Sequence, residues 1–420
     1  VSFLARRLVT AALTANAVRP LPGYRTGIPV FLAGWLTDEL APHLLGLTVA
    51  DTALAVRRGR ATPAGLVTAA ATSVALAHLV RQSMGVREVV EDALREGLGV
   101  DYVDQLDAVP TPAELATPWR QVARPFRFGE PGVRVTRDLP YTDAGSRGHL
   151  DVYAPDVVDL RGAPVLLQVH GGAWTVGRKD QQGQPLMYHM AARGWVCVAV
   201  NYRLSPRDAH PAHVVDVKRA LAWIREHVAE HGGDPGYVAV TGGSAGGHLA
   251  ALAALTPGDP AFQPGFEEAD TSVQAAVPFY GVYDWAGATH LRNAELIRDR
   301  FLAPRVVQQT WRDHPEVFRR ASPILRVTPD APDFFVLHGT HDSLVDVRQA
   351  RAFVDRLRST SRRRVVYAEL PGAQHGFDII HSVRGAHVVR AVDRFLTWSW
   401  NRHRLAGAAA TPGSREDDVA

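Results

Sequence analysis

Ser244 lies in Gly242-Gly243-Ser244-Ala245-Gly246, a G-x-S-x-G pattern. In that pattern a serine sits on a sharp strand-to-helix turn with strained backbone angles, and the flanking glycines let strand and helix approach without a side-chain clash. The hydroxyl is then presented above a sheet, with the free N–H groups of a helix amino terminus aimed at it. Such a serine does nucleophilic chemistry only if a base takes its proton and a third group fixes the tautomer of that base. The chain has 18 histidines, so composition selects none of them. Position does. The apolar run 334–337 leads into His338-Gly339-Thr340-His341-Asp342-Ser343-Leu344-Val345, and the run 365–370 leads into Pro371-Gly372-Ala373-Gln374-His375-Gly376-Phe377. Both stretches fall at the carboxyl ends of late strands, where open α/β sheets place their ligands. His375 is the expected base and Asp342 the acid that orients it. Asp346 is the runner-up acid, better suited to starting the helix that follows, and Asp378 and His341 read as loop residues.

The same chemistry needs donors for the charge that develops on a substrate carbonyl oxygen. His170-Gly171-Gly172-Ala173-Trp174 follows the run 165–169. Gly171 and Gly172 have no side chain to shield their N–H groups, and Ala245 follows the nucleophile directly. These three N–H groups form the expected oxyanion hole. His170 reads as a structural hydrogen-bonding residue.

The elements that must position these residues are legible as alternating strands and helices. Strands are expected at 133–139, 149–153, 165–169, 195–200, 237–240, 273–279, 334–337 and 365–370. Val214, Val217, Leu221, Ile224 and Val228 mark one helical face. A small-residue helix follows Ser244, and a last one covers about 388–400. Interleaving of this kind predicts an α/β fold with a mostly parallel sheet covered on both faces. Residues 1–125 are rich in Ala, Leu and Arg and read as a helical extension set off by Pro110, Pro112, Pro118 and Pro125. Residues 126–405 form the expected catalytic domain and 406–420 a disordered tail. The segment 290–318 should add helices over the site; Trp285, Phe301 and Trp311 are candidates to line the pocket, with core or cap packing the better reading.

The ordered motifs resemble the hormone-sensitive-lipase-like branch of the α/β-hydrolases, the bacterial family IV esterases. Within it they are most similar to actinobacterial Lip-type carboxylesterases with a long amino-terminal extension. The likeness rests on HGGAW at His170, NYRLSP at Asn201, His210-Pro211, GGSAGG at Gly242, Gly281-Val282-Tyr283-Asp284, HGTHDSLV at His338 and PGAQHGFD at Pro371. It covers about two thirds of the chain, and the order Ser, Asp, His is that of the α/β-hydrolase triad. The resemblance implies hydrolysis of short-to-medium acyl carboxylic esters with no metal or organic cofactor. Two residues depart from the family pattern: Gly243 stands where an Asp is usual, and Ala173 where a third Gly is usual. Amide or formamide hydrolysis would use the same residues. A non-catalytic binding module on a hydrolase scaffold is the contrasting class, and such proteins usually lose a triad member.

Bulk composition narrows the rest. With 46% hydrophobic and 21% charged residues the chain can bury a large core, and a net charge of +3 argues against a nucleic-acid partner. Arg362-Arg363-Arg364 reads as a solvated turn. The lone Cys197 lies in an apolar run and reads as an inert buried thiol. No Asp or Glu precedes Asp38, while Arg6, Arg7, Arg19 and Arg25 do. The apolar stretch 8–18 is short for a cleavable signal, and the uncharged stretch 61–80 reads as a packed helix ahead of a membrane span. The expected partner is a small-molecule or lipid ester, in the cytoplasm or at the cell envelope. The first 125 residues have two roles open to them, a cap over the acyl pocket or peripheral contact with a membrane.

Overall fold

The eight expected strands all form, in one sheet. They are β1 (Val133–Pro140), β2 (His149–Pro155), β3 (Ala163–Val169), β4 (Val196–Val200), β5 (Gly233–Gly243), β6 (Ala275–Phe279), β7 (Asp333–Gly339) and β8 (Val365–Leu370). This is a computed structural model, and it describes residues 1–21 and 23–410. The strand order is β1-β2-β4-β3-β5-β6-β7-β8. β2 runs antiparallel to both its neighbours, and the six strands from β4 to β8 are parallel. The central strands are continuous apolar runs because both faces are covered. Val165, Leu167 and Val169 point into one core and Leu166 into the other, the alternation a pleated strand imposes.

Six α-helices precede the sheet among the described residues: α1 (Phe3–Val18), α2 (Gly27–Glu39), α3 (Ala41–Arg57), α4 (Pro63–Leu98), α5 (Pro112–Leu115) and α6 (Trp119–Val122). Among the strands lie α7 (Gln184–Ala192), α8 (Ala212–His227), α9 (Ala245–Leu255), α10 (Arg292–Ile297), α11 (Pro315–Arg320) and α12 (Val347–Thr360). The last helix, α13, spans Val383–Ala410. It continues into the stretch expected to be a disordered tail; residues 411–420 lie outside the described ones. Val214, Val217, Leu221 and Ile224 of α8 pack with α9 and α12 on one face of the sheet. Val388, Val392, Phe395 and Leu396 of α13 pack with α7 on the other face.

α4 joins the two halves of the chain. Thr62 caps its amino terminus, accepting from Gly65 N, and Pro63 occupies its first position, where a missing N–H costs nothing. It is long and apolar enough to cross a bilayer. Leu76 and Leu79 pack on Ala17 and Ala41, whereas Val86, Val90, Leu94 and Leu98 join the core beneath α13. Gly97 admits β8 so closely that a Cβ there would meet the Val366 Cα at 2.9 Å.

Candidate active site

β5 ends at Gly243 and α9 begins at Ala245, leaving Ser244 alone on the turn with φ 59° and ψ −120°. Positive φ is costly for a residue with a Cβ and persists only where its surroundings hold it. Here the Ser244 N–H donates to Phe279 O at 3.0 Å. Gly246 provides the close approach expected of the pattern, since a Cβ there would lie 2.1 Å from Val169 O. The serine is half-buried at the sheet's carboxyl edge.

The acid and the histidine come from the loops after β7 and β8. His375 Nδ1 lies 2.7 Å from Asp342 Oδ2, and the other oxygen, Oδ1, accepts from Leu344 N at 2.9 Å and Val345 N at 2.8 Å. His338 Nε2 lies 3.2 Å from Oδ2 on the far side. Complete burial pushes the Asp342 carboxyl up, but the two imidazoles outweigh it and hold the group well below the usual carboxylate range. Gln374 clasps the two loops: its Oε1 accepts from Ser343 N at 2.8 Å and His375 N at 3.0 Å. Sequence reasoning missed this residue; its only signal was an amide beside the histidine. Among the described residues no hydrogen bond joins Ser244 Oγ to His375. Nucleophile–base contacts are often long in free enzymes and tighten with substrate.

The loop after β3 lies against the serine, because a Cβ placed on Gly171 would be 3.2 Å from Ser244 Cβ. The expected donors are not equivalent. The Gly171 N–H already donates to Gln182 Oε1 at 2.7 Å, whereas the Gly172 and Ala245 N–H groups meet no acceptor among the described residues. His170 is buried, with Nδ1 2.7 Å from Gly171 O and its ring stacked 4.3 Å from Tyr202. Burial pushes its imidazole down to about 4, which keeps it neutral.

The remaining expectations resolve by burial. Asp346 caps α12, accepting from Arg348 N at 3.0 Å. His341 Nδ1 lies 3.3 Å from Ala17 O. Trp285 is fully buried and stacks on His248 at 4.5 Å, so it packs the core. Cys197 is buried and unpaired, and burial pushes its thiol well up. Asp378 lies in the loop after β8, as expected, and is buried there, where it accepts a hydrogen bond from Tyr280 Oη. The Tyr280 ring lies 4.4 Å from the His375 ring. This pair also accounts for Gly243, since a Cβ there would sit 2.6 Å from Tyr280 Oη.

α2 crosses the mouth of the site. Gly27 O accepts from Ser343 Oγ at 3.1 Å, and Phe31 meets the His375 ring edge-on at 5.7 Å. Trp35 stacks on Phe31 at 5.8 Å. The helix is anchored behind by Arg384 of α13, which is fully buried and pairs with Asp38 at 2.7 Å and with Glu39. A surface cleft of about 790 Å³ lined by Pro206, Arg298 and Trp311 includes none of Ser244, Asp342 and His375.

Comparison with known proteins gives a consistent picture. The family model BD-FAE matches residues 150–357. The chain is 46% identical over 405 residues to the probable carboxylic ester hydrolase LipM of Mycobacterium tuberculosis, covering 92% of this chain and 91% of that protein. It is 51% identical over 262 residues to the esterase LipQ of the same organism, covering 62% of each. Among solved structures, an esterase B from Lactobacillus rhamnosis matches with a TM-score of 0.56 at 19% identity, over 71% of this chain and 99% of that one, a likeness of fold.

Proposed function

The chain belongs to the Lip-type carboxylic ester hydrolases of the α/β-hydrolase fold, and from that premise we propose that Ser244, His375 and Asp342 carry ester cleavage through an acyl-serine. The observation that supports the reading most is the 2.7 Å contact of His375 with the fully buried Asp342, on loops adjoining the strained Ser244 turn. His375 takes the Ser244 proton as Oγ attacks the ester carbonyl, then gives it to the departing alcohol. Water, deprotonated by the same imidazole, releases the acid and restores the serine. Asp342 remains ionised and stabilises the imidazolium.

Gly172 and Ala245 are the oxyanion donors in this reading, and Gly171 joins them once its N–H leaves Gln182. Each such donor is worth roughly a hundredfold or more in rate. Residues 1–125 act as a cap through α2, whose Phe31 and Trp35 line the acyl side of His375. The substrates are short-to-medium acyl esters, including lipid esters met at a membrane surface by the amino-terminal region.

A fluorophosphonate probe tests the nucleophile: one adduct on Ser244, absent in Ser244→Ala, is expected, and labelling that survives the substitution would overturn the assignment. A para-nitrophenyl ester series from acetate to palmitate tests the acyl range, with turnover expected to peak at short-to-medium chains. Matched amides should be cleaved far more slowly; equal rates would move the reading to amide hydrolysis.

A further inference from the structure

The outer side of α2 has no role in the chemistry above. Ile28, Leu32 and Leu36 recur every four residues, so they form one stripe along the helix. They are 65%, 54% and 38% exposed. Leu21, just before the helix, is 65% exposed. Phe31 and Trp35 precede Leu32 and Leu36 by one residue, about 100° round the helix. One short helix therefore presents aromatic rings to His375 and an apolar stripe to the outside. Singly exposed leucines are ordinary, but a contiguous stripe of this kind marks an interaction surface.

At the amino end of α2 the character changes from apolar to cationic. Arg25, Arg292 and Arg300 line one cleft of about 330 Å³, together with Tyr24, Thr26 and Leu296. None of the three guanidinium groups is paired with a carboxylate among the described residues. Three unpaired cations around one cleft repel each other, and an anion placed among them relieves that repulsion. Arg25 also lies in the segment before Asp38 that holds no acidic residue.

We propose that this face, the α2 stripe with the Arg25–Arg292–Arg300 cleft, docks the mouth of the active site onto an anionic phospholipid bilayer. The arginines take lipid phosphates while Ile28, Leu32 and Leu36 enter the boundary between headgroups and acyl chains, the arrangement of interfacial helices. The inference rests on the ester-hydrolase reading and names the surface from which its substrates enter. The adjacent Phe31 and Trp35 then form a continuous apolar path from the bilayer to His375.

The test is co-sedimentation of the full chain with phosphatidylcholine vesicles, with and without phosphatidylglycerol. Binding is expected only when phosphatidylglycerol is present, and it should fall with added salt. Arg25→Gln, Arg292→Gln and Arg300→Gln should each weaken it roughly fivefold, and Leu32→Glu should weaken it by at least about tenfold. These side chains are exposed, and thermal melting verifies that each variant folds. Failure to bind, equal binding to both vesicle types, or indifference to both sets of substitutions would overturn the proposal. So would a concentration-dependent dimer in light scattering that Leu32→Glu abolishes, because a second copy would then cover the stripe. Turnover of the water-soluble para-nitrophenyl acetate by the unaltered chain reports on the ester reading separately, since it needs no vesicle.

Discussion

At the scale of single residues, the candidate site combines a strained serine with a histidine whose partner carboxylate is saturated. Asp342 receives His375, His338 and two backbone N–H groups. Its carboxyl is held so low that it stays ionised wherever the protein is near neutrality. Asp342→Asn should lower kcat about ten-thousandfold by releasing the tautomer, with little effect on KM. Gly243 is a second test. Tyr280 cannot retreat from an added Cβ while its hydroxyl is tied to Asp378. Gly243→Ala should cost about 1–3 kcal/mol of stability by overpacking. Combined with Tyr280→Leu it should cost less than the two single changes summed, which a double-mutant cycle measures. The sequence marked Gly243 as unusual but could not explain it, since its reason lies on a residue 37 positions away in the sequence.

At the scale of elements, α2 depends on a buried ion cluster. Arg384 of α13 meets Asp38 and Glu39 with all three side chains out of solvent. Removing one partner of such a cluster strands the others. Arg384→Met is therefore expected to destabilise the fold by about 3–5 kcal/mol in denaturant titrations. Because α2 carries Phe31 onto His375, the same variant should raise KM for longer acyl chains more than for acetate. α2 could be read from sequence as helical and no further. Its apolar residues run nearly all round it, so which ones face the catalytic loops and which face outward depended on where Arg384 and Ser343 hold it.

At the scale of the whole molecule, the same cluster ties stability to pH. One cation faces two acids, and burial pushes the Glu39 carboxyl up from its ordinary 4.5 to about 7, with Arg384 opposing and Asp38 adding to the shift. The folded protein thus holds a proton that the unfolded chain releases near 4.5. Stability from this group is complete below about 4.5 and is lost as pH rises through about 7. Melting temperatures measured across that window should show the decline, and Glu39→Gln should flatten it. What the sequence determined by itself was local and ordered. Strand runs, turn glycines and short motifs are set by neighbours in the chain, so all eight strands could be located and Ser244, Asp342 and His375 could be named as candidates. The tertiary structure decided what depends on residues far apart. It paired Gly171 with Gln182, placed Asp378 against Tyr280, and laid α4 across both halves of the chain. It also turned one side of α2 to the histidine and left the other bare. Burial, partner choice and helix rotation depend on packing, which sequence spacing alone does not encode.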